Sequence, residues 1–389
     1  MRTVTSRTLA IAACAAVCFC LAAPGGRPSA AQTKSRPAAA QAKKKPAAAE
    51  AKEKVSTEED AKIYREAMAW FKKAEAMIGT PEENSEAQAD LFRKALEIKP
   101  DFLEAHYNLG LIYANQEKMK QAAAEFEKVL ELDPKFDPAI YVLLARAHED
   151  SGNTAGAVAS LKKALEHKPS DLKILRALAY LQFSSKDDAA AIDNLKKILE
   201  AEPSDVSAHM DLALLLLRNK QSEAAMEQFR EVVRLDPGNF AARYNLGMMY
   251  LQRGETDRAV EELEAANRIQ PGNGDLLERL GDVHSQQQRH AQAAAAYKAA
   301  LESVPGRAVL FAKYGYSLAS AGRKEEAVAA LESALRLDAK NADILFLLGD
   351  LYGDLNRYDE AAGAYRKSLA VNPKQKGVHF NLGTLLAEQ

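Results

Sequence analysis

Cysteine is nearly missing from this chain of 389 residues, and Cys14, Cys18 and Cys20 all fall within the first 20. Removal of a leading segment would leave no thiol at all. That excludes disulfide staples, a thiolate nucleophile and a thiolate metal site from the mature chain. No glycine-rich phosphate loop, nucleophile elbow or zinc signature occurs, and no two histidines stand at the i, i+4 spacing of metal ligands. Charge is balanced at a formal net of −2. The apolar run 9–23 has 15 residues, short of the roughly 20 that a spanning helix needs.

The balance of charge hides a division. Residues 1–31 carry Arg2, Arg7 and Arg27 and no acid; residues 32–57 carry a net +5; the remainder carries −10. Arg2 and Arg7, then the run 9–23, then small residues at 29–31 read as a secretory signal cleaved after Ala31. An uncleaved anchor, or lipid attachment at Cys14, is the alternative. Residues 32–57 are rich in Ala, Lys and Pro with almost no large apolar side chain, the composition of a disordered linker. Its bases suit contact with an anionic membrane surface. The acidic remainder is a poor match for nucleic acid.

What the chain has instead is a period. Prolines fall at 100, 134, 169, 203, 237, 271, 305 and 373, one every 34 residues apart from a single interval of 35 and a skipped beat at Ala339. With Leu103 as position 1, His106, Leu109, Gly110 and Tyr113 occupy positions 4, 7, 8 and 11, and Ala122, Phe126, Val129 and Pro134 occupy 20, 24, 27 and 32. Residues three and four apart share one helical stripe, so each unit reads as two helices burying matched faces. Position 8 is Gly or Ala and position 20 is Ala in eight successive units, which lets helix backbones approach closely. Gly152, Gly254, Gly322 and Asn356 at position 15 suit a left-handed helix stop. At Ala339 the closing proline is absent, and a longer second helix or a looser joint is expected there.

This pattern resembles the tetratricopeptide repeat over residues 67–389. The resemblance implies an all-α, right-handed superhelical solenoid of helix-turn-helix units, here about nine plus a C-terminal helix, within an array at 58–389. The first unit is degenerate: Trp70, Ala74 and Met77 stand for positions 4, 8 and 11, and residues 78–85 form a longer loop, which suits an N-terminal cap. In the last helix, Val378, Leu382, Leu385 and Leu386 are expected to lack cover. The histidines at position 4 (His106, His209, His379) and position 11 (His148, His284) take the place of bulky core residues.

The family's first helices line a concave groove through positions 2, 5, 9 and 12. By that resemblance Tyr180, Phe183, Met210, Leu214, Leu217, Tyr244, Met248 and Leu251 form an apolar run over three neighbouring units, the kind of surface that receives a partner. Arg146, Lys173 and Arg176 flank one end and Asp275, Glu278 and Asp282 the other. Tyr107 belongs to the groove of the second unit, and Asn108 and Asn245 at position 6 resemble asparagines that hold peptide backbone in this family. The expectation is an exported, periplasmic scaffold or assembly adaptor that binds a protein or peptide, with no cofactor, no metal and no catalysis. The alternatives are a regulatory arm of a larger enzyme such as a repeat-linked glycosyltransferase, and an element that self-associates through its last helix.

Overall fold

From Leu103 onward, first helices of 12 or 13 residues alternate with second helices of 14, joined by short corners. A computed structural model describes residues 58–388, which contain nineteen helices and no strand. The leader and linker lie outside the described residues. In order the helices are α1 (Glu58–Glu75), α2 (Glu86–Ile98), α3 (Leu103–Asn115), α4 (Met119–Leu132), α5 (Ala139–Asp150), α6 (Thr154–His167), α7 (Leu172–Ser184), α8 (Asp188–Ala201), α9 (Val206–Arg218) and α10 (Ser222–Leu235). They continue as α11 (Phe240–Gln252), α12 (Thr256–Ile269), α13 (Gly274–Gln286), α14 (His290–Ser303), α15 (Ala308–Ser320), α16 (Lys324–Leu337), α17 (Ala342–Asp354), α18 (Tyr358–Val371) and α19 (Lys376–Glu388). The chain forms two compact units, one ending at Ala208 and the other beginning at His209, so the division falls inside α9. Within each unit a helix packs chiefly on its sequence neighbours.

The small positions explain the packing. All eight position-20 alanines, from Ala122 to Ala361, are fully buried. At position 8, a methyl added to Gly110 would come within 2.6 Å of the Phe126 ring, and one added to Gly247 within 2.6 Å of Leu263. The bulky position-24 side chain thus lies directly on the position-8 backbone. In the first unit the Phe71 ring meets Phe92 edge-on at 5.4 Å and Phe102 at 4.9 Å, closing the N-terminal end of that core.

Every first helix from α3 to α17 ends in the same corner. Position 15 has positive φ in all eight units: Gly152, Gly254, Gly322 and Asn356 as the sequence implies, and also Glu117, Lys186, Lys220 and Gln288. The N–H of position 16 donates back to the carbonyl of position 11, as Lys118 to Tyr113 (2.8 Å) and Arg357 to Tyr352 (2.8 Å). This six-to-one bond is the Schellman helix stop.

Three expectations change. Met77 lies beyond α1, because the chain turns at 76–80 through i→i+3 bonds such as Met77 N–H to the Ala74 carbonyl (3.1 Å). The second helix before Ala339 is not lengthened: α16 ends at Leu337, and Asp338 Oδ1 accepts the N–H of Lys340 (3.3 Å). Asp133 and Asp236 make the same turn ahead of Lys135 and Gly238, so an aspartate at this corner stops the helix without proline. In α19, Val378 and Leu385 are buried in the core formed with α17 and α18, and Leu382 packs on that core. Leu386 and Phe380 are the large apolar side chains left exposed there.

Candidate functional site

The first unit contains a cleft of about 260 Å³ on the side of its first helices. Tyr107, Asn108, Leu111 and Ala114 come to it from α3, Leu143 and Arg146 from α5, and Ile78, Glu83 and Asn84 from the loop between α1 and α2. Positions 5, 9 and 12 of the second repeat therefore share one wall, as i, i+4 and i+7 spacing requires, and Asn108 at position 6 borders it. Buried Ile112 and Phe126 form the floor.

The loop wall is held by amides. Asn84 has φ 63°, its N–H donates to Gln88 Oε1 (2.7 Å), and its side-chain oxygen accepts from Asn115 Nδ2 (2.8 Å). Gln116 Nε2 donates to the Asn84 carbonyl (2.8 Å), and Gln88 Nε2 donates to the Ala74 carbonyl (2.9 Å). A degenerate loop is thereby fixed against α3. Tyr107 stacks obliquely on Phe136 at 5.3 Å, and burial followed by the charge of Asp137 raises its phenol pKa, so it stays a neutral donor. Arg146 is well exposed at the mouth, 3.6 Å from Asp150. An apolar floor, a phenol and one exposed cation, loosely paired with Asp150, can hold an apolar side chain and steer an acidic neighbour.

The other sequence candidates divide between the units. Tyr180 and Phe183 lie on α7 of the first unit; Tyr180 is exposed at 59% and Phe183 half-buried. Met210, Leu214 and Leu217 on α9, and Tyr244, Met248 and Leu251 on α11, are half-buried in the second unit. Tyr244 stacks on Phe240 with ring centroids 6.0 Å apart. The asparagine amides are spent locally: Asn108 Nδ2 donates to the Glu104 carbonyl and Asn245 Nδ2 to the Ala241 carbonyl, both at 2.7 Å, and Asn245 is buried.

The flanking charges have partners as well. Arg176 pairs with Glu202 (2.5 Å) and Asp205. Arg307 approaches Asp275 (3.8 Å) and Glu278 (2.7 Å), and Lys313 bridges Glu278 (2.8 Å) and Asp282 (2.7 Å). Burial alone would raise the Glu278 pKa; Lys313 and Arg307 overcome it and hold the carboxyl below its ordinary range.

Four of the five histidines at positions 4 and 11 are buried; His379 is exposed. His106 is the most constrained, with Nδ1 2.6 Å from Glu125 and Nε2 2.9 Å from the Pro100 carbonyl. Both partners only accept, so the imidazolium satisfies them best. Burial works against that charge, but Glu125 and the Pro100 carbonyl prevail and raise its pKa. Among the described residues no group of three or more His, Cys, Asp or Glu could hold a metal, and no helix is long and apolar enough to cross a membrane.

Sequence reasoning placed the apolar groove at 180–251, took Arg146 as a charge flanking it, and did not join Ile78, Asn84, Leu111, Leu143 and Arg146 into one cleft. The signal was the long loop at 78–85, which has no counterpart in the regular units.

Residues 142–389 match a family model described as Tetratricopeptide repeat in seven overlapping stretches (142–206, 189–240, 210–274, 244–308, 278–342, 312–376 and 346–389). Residues 103–136 match a second model of the same description. No curated protein matches the chain. Among solved structures, MamA is similar at 25% identity over 44% of this chain and 94% of its own, with a TM-score of 0.39. YrrB, a repeat protein with an unusual peptide-binding site, is similar at 23% identity over 51% of this chain and 99% of its own, TM-score 0.40. A tetratricopeptide repeat protein of Parabacteroides merdae is similar at 15% identity over 64% of this chain and 98% of its own, TM-score 0.40.

Proposed function

Because this chain belongs to the tetratricopeptide repeat family, we propose that it is an exported protein-interaction scaffold that holds a segment of a partner protein in the cleft of its first unit. The cleft carries the reading. It gathers side chains from two successive first helices and a pinned loop around an apolar floor, with Arg146 open at the mouth. Its volume of about 260 Å³ suits one or two apolar side chains of a peptide rather than a large cofactor. Burying them there while Arg146 meets an acid would fix both register and direction.

A photo-crosslinker at Ala114 of the full chain, in the native cell, tests this. A defined protein adduct that disappears when Leu111 is changed to Glu supports the cleft. An adduct unaffected by Leu111→Glu, or none at Ala114, Leu143 and Ile78 alike, would remove it.

Export rests on the arrangement of residues 1–31, with Arg2 and Arg7 ahead of the run 9–23 and small residues at 29–31. The mature protein is then a cysteine-free chain beginning at Gln32, in the periplasm if the source is a diderm bacterium. The basic residues of 32–57 would bring it to an anionic surface. The role we assign is binding without catalysis.

A further inference from the structure

The first helices of the second unit place a row of apolar side chains and carboxylates on one face. The row is continuous from α13 to α19. Lys313 of α15 reaches back to Glu278 and Asp282 of α13. Burial, and then the charge of Asp343 on α17, raises the phenol pKa of Tyr316 on α15. Asn381 of α19 donates to Asp350 Oδ1 of α17 at 2.8 Å.

Two properties of this face stand out. Val309 is 63% exposed, Tyr316 41% and Phe380 74%, and all three sit at positions 2, 9 and 5 of their repeats, on the groove side. The carboxylates differ in how they are met. Glu278 and Asp282 are neutralised by Lys313 and Arg307, whereas Asp343 and Asp350 form no ion pair with any described residue. Asp343 accepts from the Gln375 amide at 3.1 Å, and Asp350 accepts from the Tyr365 hydroxyl and Asn381. Polar donors orient these two carboxylates and leave their charge unanswered.

We infer that this face of the second unit docks an arginine- or lysine-bearing segment of a protein partner, its charge met by Asp343 and Asp350 and its aliphatic stems by Tyr316 and Phe380. The inference rests on the reading of the chain as a scaffold and names the chemistry of a partner at a surface separate from the first-unit cleft. A long cationic side chain is the occupant that uses both halves of such a surface, since its stem packs on rings while its head meets a carboxylate. A second copy's helical array is disfavoured, because residues 58–389 carry ten more acids than bases. Nucleic acid is disfavoured for the same reason.

The full mature chain is titrated with a short fluorescent arginine–leucine peptide and with its citrulline–leucine counterpart, which keeps shape and removes charge. The arginine peptide is expected to bind at least about tenfold more tightly than the citrulline peptide and to weaken as salt rises. Asp343→Asn and Phe380→Ser should each weaken it at least about fivefold while the melting temperature is unchanged. Equal affinity for the two peptides would overturn the inference, as would arginine binding that neither substitution alters, since that would be general attraction to an acidic surface. Light scattering provides a further arm: a dimer that Phe380→Ser dissociates would make a second copy the occupant and also overturn it. The crosslink at Ala114 reads the other unit, so the scaffold reading stands or falls independently.

Discussion

At Lys220 the backbone stands at φ 61°, and at Lys186 at 63°, where an L-residue with a Cβ is strained. Four of the eight corners use glycine or asparagine there; these two do not. Left-handed geometry costs a side-chain residue about 1–2 kcal/mol, and glycine returns part of that through its freer unfolded chain. Lys220→Gly and Lys186→Gly should each therefore stabilise the fold by about 0.5–1 kcal/mol, measured by urea unfolding. His106 supplies a second residue-scale test. Its folded pKa is raised, so its contribution is fully present below the unfolded value and is lost as pH rises through the folded one. The stability gap between wild type and His106→Gln should be widest in mild acid and shrink as pH rises past the ordinary imidazole range; a constant gap would mean that the ring acts by shape alone. The sequence placed this histidine correctly in the core but could not show that both its nitrogens face acceptors, because Glu125 and the Pro100 carbonyl come from different helices or corners.

Among elements, the helix pair depends on position 8 being small beneath position 24. Gly281 shows the limit: an added methyl would meet the Tyr297 ring at 2.5 Å, and the Tyr297 hydroxyl donates to Asp282 at 2.8 Å, so the ring is tethered. Overpacking costs about 1–3 kcal/mol, against about 1 kcal/mol of helix propensity gained. Gly281→Ala should thus lose about 1 kcal/mol or more, seen as a lower melting temperature; Gly281→Ala paired with Tyr297→Leu should recover most of it. Helix identity, period and boundaries were legible because Gly, Ala and Pro mark them by sterics. Two features escaped that reading. The corner after α16 holds through Asp338 without its proline, and the sequence had weighed the proline but not the aspartate before it. The cleft depends on Asn84 and Gln88 bonding to neighbours up to 32 residues away, a pairing that no local pattern displays.

For the whole molecule, the division of charge and cysteine between the ends sets the clearest test. Mass and N-terminal sequence of the protein isolated from its native source should begin at Gln32 and contain no thiol titre. A chain that retains Cys14, with or without lipid, would replace export by anchoring. The groove candidates between 180 and 251 were chosen from position alone. They fall on both sides of the division in α9, with Tyr180 exposed and the six in the second unit half-buried. Position identifies which way a side chain leaves its helix; how much of it remains open is decided by the bulk of its neighbours, which a single-position reading omits.

Eight corners closed by one and the same hydrogen-bond circuit make the chain modular in the engineer's sense. Cutting out residues 274–307 would bring Asn273 to Ala308, a splice between equivalent places in the period. The shortened product should still melt cooperatively, and the gene could gain or shed whole segments without relearning how to fold.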